Sequence, residues 1–231
     1  MKGLKHVIFD LDHTLWDFEK NSNYVLKFLF DKYQLQNTLQ TSFDQYQKRY
    51  HEITNNLWHL YDTKRIGKEE LRNERIPQVF ASFNHKDGGL TKKIETEYLE
   101  ICPDQSHLIE GTIDILQYIA KKYTAHILTN GFKSIQHRKL KASGVSQYFK
   151  TIVTSECSGY SKPDEKAFKF LLEKISANAN ECIMVGDNNL SDIEGSHNIG
   201  MKSIYFNPKN QIDHTKATYA IKNLLEIKKL I

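Results

Sequence analysis

Short apolar runs that each stop at a polar cluster recur along this chain, and they limit its fold more than any other feature. Val7-Ile8-Phe9 runs into Asp10 and Asp12, Ala125 to Leu128 into Thr129-Asn130-Gly131, and Cys182-Ile183-Met184-Val185 into Gly186-Asp187. Thr151-Ile152-Val153 and Ser203 to Phe206 are two further runs of this kind. Such runs are too short for helix cores, and their β-branched content suits strands covered on both faces of a parallel sheet. Amphipathic helical patterns separate them at Ile113 to Ile119, Ser134 to Leu140, Glu165 to Leu172 and Ser191 to His197. Strands alternating with helices of this length read as βαβ units, so the expected fold is α/β, a doubly wound parallel sheet of Rossmann-like type.

The tract between the first two strands breaks this pattern. Val25, Leu26, Leu29 and Phe30 form a helical stripe within Trp16 to Tyr33, which Asp17 can cap. Phe43, Tyr46, Tyr50, Ile53, Leu57 and Leu60 mark a second helix from about Ser42 to Leu60. A third starts near Lys68 after Gly67 and can continue to Phe80, with Pro77 as a kink or a stop, and a fourth spans Leu90 to about Leu99 after a Gly88-Gly89 loop. Cys102 to His107, containing Pro103, reads as a hinge. The domain expectation is a catalytic α/β core of residues 1–16 and 104–231, interrupted by a small all-helical cap domain of residues 17–103. An insertion leaving the core beside the paired acids is placed to exclude water and supply substrate contacts.

Thirty-two basic against twenty-eight acidic residues among 231 leave a formal charge of +4, with the basic residues scattered among acids. That is no footprint for a nucleic acid polymer. No apolar run approaches a membrane span, and Met1-Lys2-Gly3-Leu4-Lys5 leads straight into a strand, so the expected location is cytoplasmic, without a membrane partner. Cys102, Cys157 and Cys182 lack metal-ligand spacing and read as reduced structural residues.

The strand ends carry complementary chemistry. In an open α/β sheet the crevice beyond the carboxyl ends of the strands is the usual ligand site. Asp10 and Asp12 stand two residues apart, and like charges this close raise a pKa or call for a hard cation such as Mg²⁺. Thr129 and the N–H groups near Asn130 are suited to an anionic phosphoryl oxygen. Lys162 lies just before a helix that Pro163 can start, where a phosphate partner explains a lysine better than the positive helix end does. Asp187 is placed to complete a metal site with Asp10 and the Asp12 carbonyl, and Asp192 to orient that site or Lys162 from behind. Each has an ordinary alternative as a turn, cap or surface residue. A buried cluster of Asp10, Asp12 and Asp187 would be too repulsive to persist without a proton or cation.

Four such segments in this order resemble the haloacid dehalogenase-like superfamily of hydrolases. Asp10-Leu11-Asp12-His13-Thr14 looks like its first motif, Thr129-Asn130-Gly131 its second, Lys162 its third and Gly186-Asp187 through Asp192 its fourth. The helical insertion resembles the subclass I cap. Asp10 through Glu19, with Leu128-Thr129-Asn130-Gly131-Phe132, is similar to the cytoplasmic 5′-nucleotidases of pyrimidine nucleoside monophosphates.

The resemblance implies Mg²⁺-dependent phosphomonoester hydrolysis through an aspartyl phosphate. Asp10 would be the nucleophile, Asp12 the acid and then the base, and Thr129, Asn130 and Lys162 the phosphoryl clamp. Asp10, Asp12 and Asp187 would hold the metal. Trp16 and Phe18 are expected to stack on or enclose a base, with Tyr46, Trp58, Arg65 and Arg72 more distant candidates. The expected partner is a small phosphomonoester, a nucleoside monophosphate above others, and the assembly a monomer or weak homo-oligomer. A sugar-phosphate phosphatase or phosphomutase is the alternative enzyme. A binding module without catalysis would have lost Asp10, Asp12 or Asp187, and none is lost.

Overall fold

The computed structural model describes residues 3–210 and 215–231, so Met1 and Lys2 of the opening segment lie outside the described residues. The chain forms β1 (His6–Phe9) and then five helices, α1 (Phe18–Lys32), α2 (Leu35–Leu39), α3 (Phe43–Asp62), α4 (Lys68–Ala81) and α5 (Gly88–Ile101). It continues through α6 (Thr112–Ala120), β2 (Thr124–Thr129), α7 (Lys133–Ala142), β3 (Phe149–Thr154), α8 (Ser155–Ser158), α9 (Glu165–Ile175) and β4 (Cys182–Gly186). A π-helical turn at Asn189–Glu194, α10 (Gly195–Asn198), β5 (Lys202–Phe206), β6 (Tyr219–Ile221) and α11 (Ile227–Leu230) complete it. Two units result, Met1–Phe18 with Ser106–Ile231, and Glu19–Gln105.

In the first unit the strands build one sheet in the order β3-β2-β1-β4-β5-β6, every neighbouring pair parallel. This is the doubly wound α/β sheet, with β1 at its centre. Phe9 is level with Ile127 of β2 on one side and Val185 of β4 on the other, so the segments after these strands emerge together at one edge. Val7, Ile8 and Phe9 are fully buried. Ile8, Leu128, Val153 and Met184 pack with Phe168 and Leu171 of α9, which gives the short apolar runs their partners. β6 adds a three-residue edge strand, too short to carry the periodicity that marks a strand in sequence.

The second unit is all helical, with α3 packed on α4 and α4 on α5. Its stripes bury Leu26, Leu29, Tyr46, Tyr50, Leu57, Ile76, Phe80, Ile94 and Tyr98. One boundary departs from the sequence expectation, and the choice left open at Pro77 is decided. Pro77 lies inside α4, which continues to Ala81. It forfeits one N–H, but buried Ile76 before it and Val79 and Phe80 after it anchor both halves. Gly88 and Gly89 open α5 instead of forming a loop, because the Asp87 side chain accepts the Leu90 N–H and caps the helix. The unit also buries an ion pair, Arg75 with Glu95. Among the described residues no helix is long and apolar enough to cross a membrane, and Cys102, Cys157 and Cys182 form no disulfide.

Candidate active site

The loop after β1 turns back on itself at once. Leu15 and Trp16 both donate their N–H groups to the Leu11 carbonyl, and His13 donates to the Trp16 carbonyl. This turn sends the side chains of Asp10 and Asp12 to different partners, although a fully extended chain would project them to one side.

Asp10 is buried, and its Oδ1 accepts from Lys162 Nζ at 2.6 Å. The same ammonium donates to Asp192 Oδ1 at 2.5 Å. Lys162 and Asp192 are 2% and 0% exposed, so this bridge is closed to bulk water. Oxygens of Asp10, Asp187 and Asp192 all lie within 4.8 Å of one another. Burial pushes Asp10 well above the usual carboxylate range, and Asp192 and Asp187 add to the rise against the pull of Lys162. Burial and the charge of Asp192 push Asp187 up to about 7. Burial works against the charged Lys162, yet Asp10 and Asp192 outweigh it and raise its pKa. One lysine against three acids leaves surplus negative charge, and the donors are all oxygens, so the residues fit a hard divalent cation.

The Asp192 oxygens are already engaged by Lys162, the Asn188 N–H and the Ser191 hydroxyl. Asp187 accepts from the Thr14 hydroxyl at 2.9 Å. Asp187 is not the cap of the following turn: Asn188 takes that part, accepting the N–H groups of Leu190 and Ser191. Gly186 is required here, since a Cβ would lie 2.2 Å from Asp192 Oδ2.

Thr129, at the end of β2, is 3% exposed. Its Oγ1 accepts from Gln136 Nε2 at 2.9 Å and from the Gly131 N–H at 3.1 Å. With both lone pairs used, its own proton is left to donate to an anionic oxygen. The Asn130 side chain instead clamps the backbone of Lys162, donating to its carbonyl at 2.9 Å and accepting its N–H at 2.7 Å. Pro163 does not start α9. Asp164 caps that helix through the Lys166 N–H, and the Lys162–Pro163 peptide is cis.

Asp12 ends between two side chains of α7 that the sequence reading did not single out. Lys139 Nζ donates to Asp12 Oδ1 at 2.5 Å, and Gln136 Nε2 to Oδ2 at 2.8 Å. Burial alone would raise the Asp12 carboxyl, but the Lys139 charge and these two hydrogen bonds hold it below its ordinary value. Trp16, expected to face a base, is fully buried, and the Lys139 ammonium lies 4.3 Å from its ring centroid. Phe18 is half-buried, its ring 6.0 Å from Trp16 and 4.9 Å from His13. The one available signal was positional: Gln136 and Lys139 are three apart on the helix that follows Thr129, hence on one face.

The family model described as haloacid dehalogenase-like hydrolase matches residues 7–206, most of the chain. The chain belongs to the haloacid dehalogenase-like hydrolases. Pyrimidine 5′-nucleotidase PynA of Streptococcus pneumoniae is 31% identical over 96% of this chain and 94% of its own length. Human N-acylneuraminate-9-phosphatase is 26% identical, covering 100% of this chain and 95% of that protein. The magnesium-bound crystal structure of the haloacid dehalogenase-like hydrolase YfnB from Bacillus subtilis superposes with a TM-score of 0.89 at 26% identity, over 99% of each chain. As a member of the haloacid dehalogenase-like hydrolases, the protein is an enzyme, and the family's α/β core with an inserted helical domain is the fold described above.

Proposed function

We propose that the protein is a Mg²⁺-dependent phosphatase that hydrolyses pyrimidine nucleoside 5′-monophosphates through an aspartyl phosphate on Asp10. The observation that carries this reading is the Lys162 bridge between Asp10 and Asp192 beside Asp187, three carboxylates gathered around one buried ammonium, which supports Asp10 as nucleophile and Asp187 as a metal ligand. The similarity to PynA supports the nucleotide class.

Asp10 and Asp187, with the backbone carbonyl of Asp12, would hold Mg²⁺, and Asp192 would stay behind Lys162. A cation held there would supply charge neutralisation at the phosphoryl group. Asp10 attacks phosphorus as the ester P–O bond breaks, and Asp12, ionised before substrate binds, relays the proton brought by the monoanionic phosphate ester to the departing 5′ oxygen. Lys162 and the Thr129 hydroxyl stabilise the oxygens, together with N–H groups near Leu11 and Asn130. Asp12, now a carboxylate, takes a proton from the water that attacks phosphorus. The bond to Asp10 then breaks, the proton on Asp12 leaves with the orthophosphate, and both aspartates return to their starting carboxylates. Phe18 is the aromatic assigned to the base.

A panel of nucleoside monophosphates and sugar phosphates, assayed for phosphate release with Mg²⁺ and with a chelator, tests this. The highest kcat/KM is expected for a pyrimidine nucleotide, with activity lost on chelation. A preference for sugar phosphates would move the assignment to the class favoured by the similarity to N-acylneuraminate-9-phosphatase, and product isomerisation without phosphate release would indicate a mutase.

A further inference from the structure

Both carboxylate oxygens of Asp12 are tied to α7 by partners that are themselves buried, while the Asp12 side chain stays 24% exposed. Lys139 is 5% exposed and Gln136 0%. The Lys139 ammonium meets Asp12 Oδ1 at 2.5 Å, with the Trp16 ring centroid at 4.3 Å and that of Phe18 at 5.4 Å. A cation set between a carboxylate and two aromatic faces has little room to move. Trp16 reaches this place because the loop that carries Asp12 folds back through the Trp16 N–H to Leu11 carbonyl bond. One loop thus supplies the carboxylate and the platform for its cation. On the other oxygen, Gln136 is admitted by Gly131, where any Cβ would lie 1.8 Å from Gln136 Nε2. Its amide joins Asp12 to Thr129.

We infer that Lys139, assisted by Gln136 and confined by Trp16, is a positioning residue that aims the Asp12 carboxyl at the proton it gives and takes. This rests on the reading of Asp12 as acid and base. Each Asp12 oxygen keeps one lone-pair site beyond these ties. The proton leaves from that site to the departing oxygen and returns to it from the attacking water. Trp16 on this account serves proton transfer.

The test is first-turnover release of two leaving groups by the Mg²⁺-loaded enzyme, nitrophenol from nitrophenyl phosphate and an alkyl alcohol from a nucleoside monophosphate or another alkyl phosphate that the wild type hydrolyses. An alkyl alkoxide needs protonation as it leaves, whereas nitrophenolate does not. Lys139→Met is expected to slow alkyl release about 10–100-fold, the usual cost of losing a group that orients a reacting one. Nitrophenol release should stay within about threefold of wild type. In an Asp12→Ala background the same substitution should change neither rate further, because the two residues act as one unit. Lys139→Arg, which keeps the cation over Trp16, should recover most of the alkyl rate. If Lys139→Met does not fold, Lys139→Gln carries the same comparison. Equal loss with both leaving groups, or a loss that persists without Asp12, overturns the positioning role alone. An Asp12→Ala enzyme with no leaving-group dependence overturns the acid and base reading, and this inference with it.

Discussion

The Asn130 side chain holds Lys162 by its backbone, donating to its carbonyl at 2.9 Å and accepting its N–H at 2.7 Å. The second strand end thereby fixes the loop that carries the cation of the third. Asn130→Ala removes both bonds and leaves two backbone groups in search of partners, at a cost of about 1–3 kcal/mol. It should also let the ammonium drift from Asp10, lowering kcat about 10–100-fold with a smaller change in KM. Denaturant unfolding and steady-state kinetics check both. Wild-type kcat would show that the loop holds Lys162 without this clamp.

In the helical unit, Arg75 and Glu95 pair at 6% and 8% exposure, with the Arg75 guanidinium 5.4 Å from the Tyr98 ring centroid. Glu95→Leu strands a buried cation and should cost about 3–5 kcal/mol, whereas Arg75→Met with Glu95→Leu should recover most of that loss. Chemical denaturation followed by circular dichroism reads both. A double variant no better than the single one would mean that the pair is needed for packing as well as for charge balance.

His6 and His126 face each other across β1 and β2, Nδ1 to Nε2 at 3.1 Å. Burial pushes His126 down to about 4, and the charges of His6 and Lys150 push the same way. A lowered folded pKa means that the unfolded chain takes up the proton first as pH falls. The stability that His126 contributes is therefore complete above about pH 6.5 and lost on the way down to about 4. Against wild type, His126→Leu should show a shallower fall in Tm across that window. Parallel curves would contradict the linkage.

The sheet was legible from sequence because Val7-Ile8-Phe9, Ala125 to Leu128 and Ile183 to Val185 are buried runs ended by polar residues, a pattern few other folds impose. The helical insertion was legible in Leu26, Leu29, Tyr46 and Tyr50, which repeat at helical spacing. Less legible were features that depend on distant partners. Gln136 and Lys139 are two polar residues of a short helix, and Asp12 lies more than a hundred residues away from either. Trp16 looked available to a ligand, since nothing near it in sequence shows that Lys139 covers its ring. Pro77 carried a strong local signal for a helix end, which burial on both sides overrode.

The central claim is that phosphoryl passes through Asp10. Rapid quenching during turnover with Mg²⁺, followed by borohydride reduction and peptide mass spectrometry, reads it directly, because an acyl phosphate is reduced to the alcohol where a free carboxylate is not. The prediction is conversion of Asp10 to homoserine in the turning-over enzyme, absent without substrate, with Asp10→Asn folded and inactive. Phosphate release at the normal rate with Asp10 unmodified, or an active Asp10→Asn enzyme, would contradict it.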